Sequence, residues 1–196
     1  MPRHFLTLVF LCAISVFAEI PVWKFPVSAD FDELALAMSA LSRSEKISGT
    51  FRQTRTVEKI NRSFQSTGTF EISSEGIAWN VEKPFVSKMR LTDSTMIQVD
   101  AAGNQTVMSS KDHAIFGEIA RTMRAVFRGD LSLLQKRFDI YFVRNQKEKS
   151  WHVGLIPREK MIQNAIQSIE LKGSQNLEKV LLVDGEGNKL SYEFGK

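Results

Sequence analysis

Apolar and polar residues alternate along most of this chain, and two stretches break that rule with a wider spacing. From Ile47 to Val57, the residues Ile47, Gly49, Phe51, Gln53, Arg55 and Val57 fall on one side, with Ser48, Thr50, Arg52, Thr54 and Thr56 on the other. The period of two predicts a strand with one wet face. Phe64 to Ile72 repeats the pattern, placing Phe64, Ser66, Gly68, Phe70 and Ile72 together. Ile77, Trp79 and Val81 share the next face, and Pro84 ends that strand because proline has no N–H for the ladder. Shorter strands are predicted at Val86–Leu91, Met96–Val99 and Gln105–Met108, with a turn at Gly103-Asn104. Five more follow, at Asp139–Arg144, Trp151–Ile156, Ile166–Lys172, Leu177–Asp184 and Lys189–Phe194, the last two joined by "DGEGN".

The interruptions have helical spacing. Ser28–Arg43 carries Leu34, Ala37, Met38 and Leu41 on one stripe, with Ser28 or Asp30 as cap and Asp32 and Glu33 near the positive end. Lys111–Phe127 carries Ile115, Phe116, Ile119, Met123, Val126 and Phe127, and Gly129 fits its stop. Asp130 then caps a short helix, in which Leu131, Leu134 and Phe138 can pack. A helical turn is expected between Pro157 and Asn164. The expectation is an α+β fold of ten or eleven antiparallel strands. An open sheet of that size curls, and its concave side needs covering by the apolar helix stripes.

The first residues read differently. Arg3, the apolar run Phe5–Phe17 and the small residues at 16 and 18 resemble a secretory signal, with cleavage after Ala18. The apolar run is shorter than the ~20 residues of a spanning helix. The competing readings are an uncleaved anchor and lipidation at Cys12, which lacks a good lipobox. Cleavage would leave residues 19–196 as one domain with no cysteine, since Cys12 is the only one. Such an exported chain must rely on its core rather than on disulfides. A periplasm is the simplest destination.

Composition narrows function mostly by exclusion. At 43% hydrophobic residues the chain has enough for a packed core. The net charge of +4 comes from 26 basic and 22 acidic residues that intermingle, unlike the basic stripe of a nucleic-acid binder. His4, His113 and His152 have no metal-ligand spacing, and no serine lies in a nucleophile elbow. Asp184, Glu186 and Asn188 loosely resemble a calcium loop, but the twelfth position is Gly195, so a hairpin turn is expected. Arg52, Arg55, Lys59 and Arg62 read either as a solvated edge or as a docking patch for anionic headgroups or an acidic partner. No catalytic residue, metal or cofactor is expected.

What remains is apolar. Phe51, Phe70, Trp79, Met89, Ile115, Phe116, Ile119, Met123, Phe127 and Trp151, joined by Leu34 and Met38, are the residues expected between sheet and helices. They would form either a filled core or a cavity, and a cargo cavity is expected to reach several hundred Å3.

The order of short motifs resembles the LolA-type periplasmic lipoprotein carriers, in particular their divergent LolA-like relatives. The residues concerned are Gly49, Phe51 and Gln53; Gly68 and Phe70; Trp79 and Pro84; Trp151, Val153, Leu155 and Pro157; and Asp184 with Gly187-Asn188. The resemblance implies a half-barrel of antiparallel strands under a helical lid. It implies a monomer that shields an acylated lipoprotein or another lipid. The cargo would come from an inner-membrane release complex or exporter and pass to an outer-membrane acceptor. In the family an arginine-proline pair near the second strand helps set the closed lid; here Ile72-Ser73-Ser74-Glu75-Gly76 stands in its place. Glycolipid or aryl-polyene-type cargo therefore stays open beside lipoprotein. A lipoprotein-sensing or structural module with a similar sheet is the alternative.

Overall fold

The structure, a computed structural model, describes residues 21–27, 32–39, 46–92, 94–109 and 114–195, with the backbone alone for 114–120. The expected signal segment, His113, and the predicted caps Ser28 and Asp30 lie outside the described residues.

Eleven antiparallel strands form one sheet, in the order β6-β5-β4-β3-β2-β1-β11-β10-β9-β8-β7. They are β1 (Ile47–Val57), β2 (Arg62–Ser73), β3 (Gly76–Lys83), β4 (Ser87–Leu91), β5 (Thr95–Val99), β6 (Gln105–Ser109), β7 (Phe138–Asn145), β8 (Ser150–Pro157), β9 (Ile166–Gly173), β10 (Leu177–Asp184) and β11 (Lys189–Gly195). All but one join sequence neighbours. The exception is β1 with β11, where Phe51 stands opposite Phe194 and Gln53 opposite Tyr192. That pairing brings the two halves of the chain into one surface. The edges β6 and β7 do not pair with each other, so the barrel stays open. Residues 21–27 lie along the β7 edge: Val27 N–H donates to Ile140, Phe142 N–H to Phe25, and Trp23 meets the edge of Tyr141. Covering an edge in this way removes a template for unwanted strand addition.

Two hairpins close with the same five-residue turn. Asp100 and Asp184 each begin a D-x-x-G-N segment. In both, one carboxylate oxygen accepts from the N–H groups two and four residues on, and the other accepts from the asparagine side chain, all at 2.9 Å. The glycine adopts φ +86° in one and +85° in the other, a conformation that side chains resist. At Asp184, burial pushes the carboxyl pKa up, but the hydrogen bonds from Asn188 and Glu186 outweigh it and hold the pKa below its usual range. The loose resemblance to a calcium loop thus resolves into a turn whose own N–H groups occupy the carboxylate.

Among the described residues four α-helices accompany the strands: α1 (Asp32–Ser39), α2 (Ala114–Arg128), α3 (Leu131–Arg137) and α4 (Lys160–Gln163). The Asp130 side chain caps α3 by accepting from Leu133 N–H at 3.1 Å. Gly129 takes φ +62° between α2 and α3. An added Cβ there would sit 2.4 Å from the Met38 carbonyl, so α1 and α2 meet end to end through a residue without a side chain.

Candidate functional site

The inward row of β3 and those of β9 and β10 border one cavity. Trp79 stands on β3, Ile169 on β9 and Val180 on β10, yet all three line a space of about 160 Å3. In a flat sheet β3 and β9 would lie about 24 Å apart, at ~4.8 Å per strand. The shared cavity therefore requires strong curvature between them. The wall is laid out by register: Leu190 opposite Leu182 and Tyr192 opposite Val180. The fourth side is α2, whose Thr122, Met123, Val126 and Phe127 close the space.

Behind Trp79 lies an aromatic floor. Phe51 is 4.5 Å and Phe70 5.6 Å from its ring centre. Tyr192 meets the indole edge-on at 5.1 Å. Phe127 reaches from α2 to Phe194 at 5.4 Å and to Phe70 at 6.1 Å, so at the cavity the helix meets the sheet through ring contacts. Two polar groups disturb this environment. Burial pushes the Tyr192 hydroxyl pKa up to about 12. The Trp79 Nε1 is buried with no hydrogen-bond partner among the described residues. An unsatisfied buried donor costs about 1–3 kcal/mol.

The expected site residues divide into groups. Trp79, Met123 and Phe127 line the cavity. Phe51 and Phe70 support it from behind, and Met89 is half-buried opposite Trp79 across the β3–β4 pair. Leu34, Met38 and Trp151 are buried in the core and are not part of the cavity wall. Ile115, Phe116 and Ile119 lie on α2, but their side chains are outside the described residues. The expected volume of several hundred Å3 is not met by this partly open space. At about 160 Å3 it matches a ~150 Å3 cavity that accepts benzene, so it holds about six carbons as it stands.

Nine lining residues were not among the expected site residues, although Val126 belongs to the expected apolar stripe of α2: Thr122, Val126, Ile166, Ile169, Val180, Leu182, Leu190, Tyr192 and Phe194. Most carried a signal. Leu190, Tyr192 and Phe194 alternate strictly with Lys189, Ser191 and Glu193. Ile166 did not, since it lies three positions before Ile169, an odd spacing that puts the two on opposite faces of a regular strand. A register shift between Val183 and Asp184 skips Gln167 and brings both isoleucines to the cavity.

The helix is also tied to the sheet outside the cavity. Arg128 Nη2, at the end of α2, donates to the Ser73 carbonyl at 2.8 Å. Ser73 opens the turn that lacks the arginine-proline pair, so a tether is present but its cation comes from the helix. On the outer face, His152 Nε2 lies 2.8 Å from Glu170 Oε2, away from the cavity residues Ile166 and Ile169 of β9. Among the described residues no helix is long and apolar enough to cross a membrane.

The family profile described as outer membrane lipoprotein carrier protein LolA matches residues 42–196. None of the curated proteins compared with the chain matches its sequence. Solved structures of similar shape include a domain from Vibrio parahaemolyticus described as an outer membrane lipoprotein-sorting protein, with 10% identity, 84% of this chain and 89% of that one covered, and a TM-score of 0.42. A DUF1329 family protein from Desulfovibrio piger has 9% identity, the same coverages and a TM-score of 0.42. The LolA superfamily protein NE2245 from Nitrosomonas europaea has 8% identity, 86% and 93% coverage, and a TM-score of 0.43.

Proposed function

The chain belongs to the family of the outer membrane lipoprotein carrier protein LolA, and from that premise we propose that it carries an acylated molecule across the periplasm. The acyl tail lies between the inward rows of β3 and β9–β11 and helix α2. The observation that carries this reading is the cavity itself, an unfilled space walled almost entirely by apolar side chains, beside an aromatic floor. The mature chain begins after Ala18, receives its cargo at the inner membrane and passes it to an outer-membrane acceptor. It acts as a carrier and not as an enzyme.

The energetics suit carriage. Taking ~15 methylenes out of water gains on the order of 12 kcal/mol at ~0.8 each. Unaided passage through water would forfeit that amount, so the tail needs cover. The cover must also yield its cargo. Here α2 already packs Phe127 onto Phe70 and Phe194, so cargo has to displace existing contacts to gain its own. Self-packing of the lid lowers net affinity and assists release. A cavity of six carbons takes in the whole of a longer tail only when α2 moves outward. The Arg128 tether and the Phe127 ring contacts are the interactions that such a movement would loosen.

The test is a titration with a fluorescent acyl probe that brightens in apolar surroundings. Wild-type protein should bind it saturably. Val180→Trp, which fills the cavity from the β10 wall, should weaken binding at least tenfold without unfolding the sheet. Equal affinities, or no binding to either protein, would remove the carrier reading and leave a packed core.

A further inference from the structure

The carrier reading leaves one part of the sheet unused: the inner end of the first hairpin. Its basic residues lie close in sequence, but strand parity separates two of them. Arg52 belongs with the outward row of β1 and Arg55 with the inward row of Phe51 and Gln53. Arg55 stands opposite Leu190 of β11 on one side and Phe64 of β2 on the other. Leu190 lines the cavity. Phe64 lines an adjoining open groove of about 430 Å3, together with Val81, Pro84 and Phe85. Gln53, the preceding inward residue, is opposite the cavity residue Tyr192 and also borders the groove. Arg55 therefore marks the line where cavity becomes groove.

The chemistry of the groove is one-sided. Its polar side chains are Gln53, Arg55, Gln65 and Ser66, each able to donate a hydrogen bond, and no carboxylate is among the lining residues. The Arg55 guanidinium makes no hydrogen bond or ion pair among the described residues. Asp184 feels its charge, but the oxygens of that carboxylate are taken up by the Glu186 and Asn188 N–H groups and the Asn188 amide. Beside the guanidinium the apolar surface is open, with Phe64 54% and Phe85 79% exposed. An open cation among neutral donors complements an anion, and exposed phenyl rings complement hydrocarbon.

Resting on the carrier reading, we propose that Arg55 holds the anionic head of an amphiphile, a phosphate or a carboxylate, whose tail enters the cavity. The carbons nearest the head, which the small cavity cannot hold, lie against Phe64 and Phe85. Arg55 thereby selects acidic lipids over neutral ones of equal chain length.

The experiment is displacement of the neutral probe N-phenyl-1-naphthylamine by four competitors: monopalmitoylglycerol, palmitoyl lysophosphatidate, palmitate and inorganic phosphate. With the wild-type chain, the two anionic amphiphiles should compete about tenfold more tightly than the neutral one, as one charge-assisted hydrogen-bonded contact provides. The advantage should shrink in high salt. Arg55→Gln should abolish it while leaving monopalmitoylglycerol binding unchanged, and Arg55→Lys should restore part of it. Arg55 is exposed, and thermal unfolding of both variants checks that they fold. Equal competition by all three amphiphiles, or an advantage that survives Arg55→Gln, overturns the headgroup site and leaves the carrier reading standing. Competition by inorganic phosphate alone at similar concentrations overturns the amphiphile. Failure of every amphiphile to displace the probe overturns the carrier reading and this proposal together.

Discussion

Trp79 and Trp151 occupy similar places in the sequence, each inside an alternating strand followed by a proline, and the fold uses them differently. Both are almost fully buried, at 5% and 4% exposed. The Trp151 Nε1 donates to the Ser174 carbonyl at 2.8 Å. Its ring lies so close to Gly173 that an added Cβ would approach it to 2.6 Å. The indole is satisfied and enclosed. Trp79 borders empty space, and its Nε1 has no partner among the described residues. A buried side chain with every contact filled contributes to stability. One beside unfilled volume, with a polar group unspent, is where a ligand can gain contacts. The difference between core and site therefore lies in satisfaction, not in burial.

That contrast can be challenged from the cavity side first. Tyr192, in edge contact with Trp79, has a hydroxyl pKa raised to about 12 in the folded chain from an ordinary 10. The proton is held more tightly when folded, so this contribution to stability is fully present below pH 10. It is lost as pH rises from 10 to 12. The expected loss is on the order of 3 kcal/mol, at 1.36 kcal/mol per unit. Urea unfolding across that range should show it for wild type and show a markedly shallower fall for Tyr192→Phe.

The next comparison concerns the indoles themselves. Trp151→Phe removes a hydrogen bond and ring volume from a filled site, and should destabilise by about 2 kcal/mol. Trp79→Phe also loses ring volume but removes an unsatisfied donor, so its cost should stay below about 1 kcal/mol. Chemical denaturation of the two variants side by side measures this, and equal costs would erase the distinction. The smallest effect is expected at the exposed tether. Arg128→Gln should cost under about 1 kcal/mol while speeding release of a bound acyl probe by roughly two- to fivefold, as stopped-flow dilution would read.

Much of the sheet was legible in the alternation. Phe51, Phe70 and Trp79 share the inner face as their parity requires, and the same parity separates Arg52 from Arg55. The D-x-x-G-N turns were legible because their carboxylate and glycine have local work to do. The far cavity wall was harder. Leu190, Tyr192 and Phe194 alternate cleanly, but alternation does not say that β11 pairs with β1 across most of the chain. Ile166 needed a bulge that no local residue announces. Leu34 and Met38 form a helical stripe of the kind a lid would have, and they are packed shut instead. Periodicity reports which side of an element is apolar; whether that side is filled depends on the element facing it.

The three tryptophans, Trp23, Trp79 and Trp151, each give one indole N–H resonance. Adding monopalmitoylglycerol to the 15N-labelled protein and following those three signals tests the central claim most directly. The Trp79 resonance should move saturably, while those of Trp151, held by Ser174, and Trp23, against Tyr141, stay in place. A Trp79 signal that does not respond, or three signals that move alike, would contradict the assignment of the cavity as the place where an acyl chain is held.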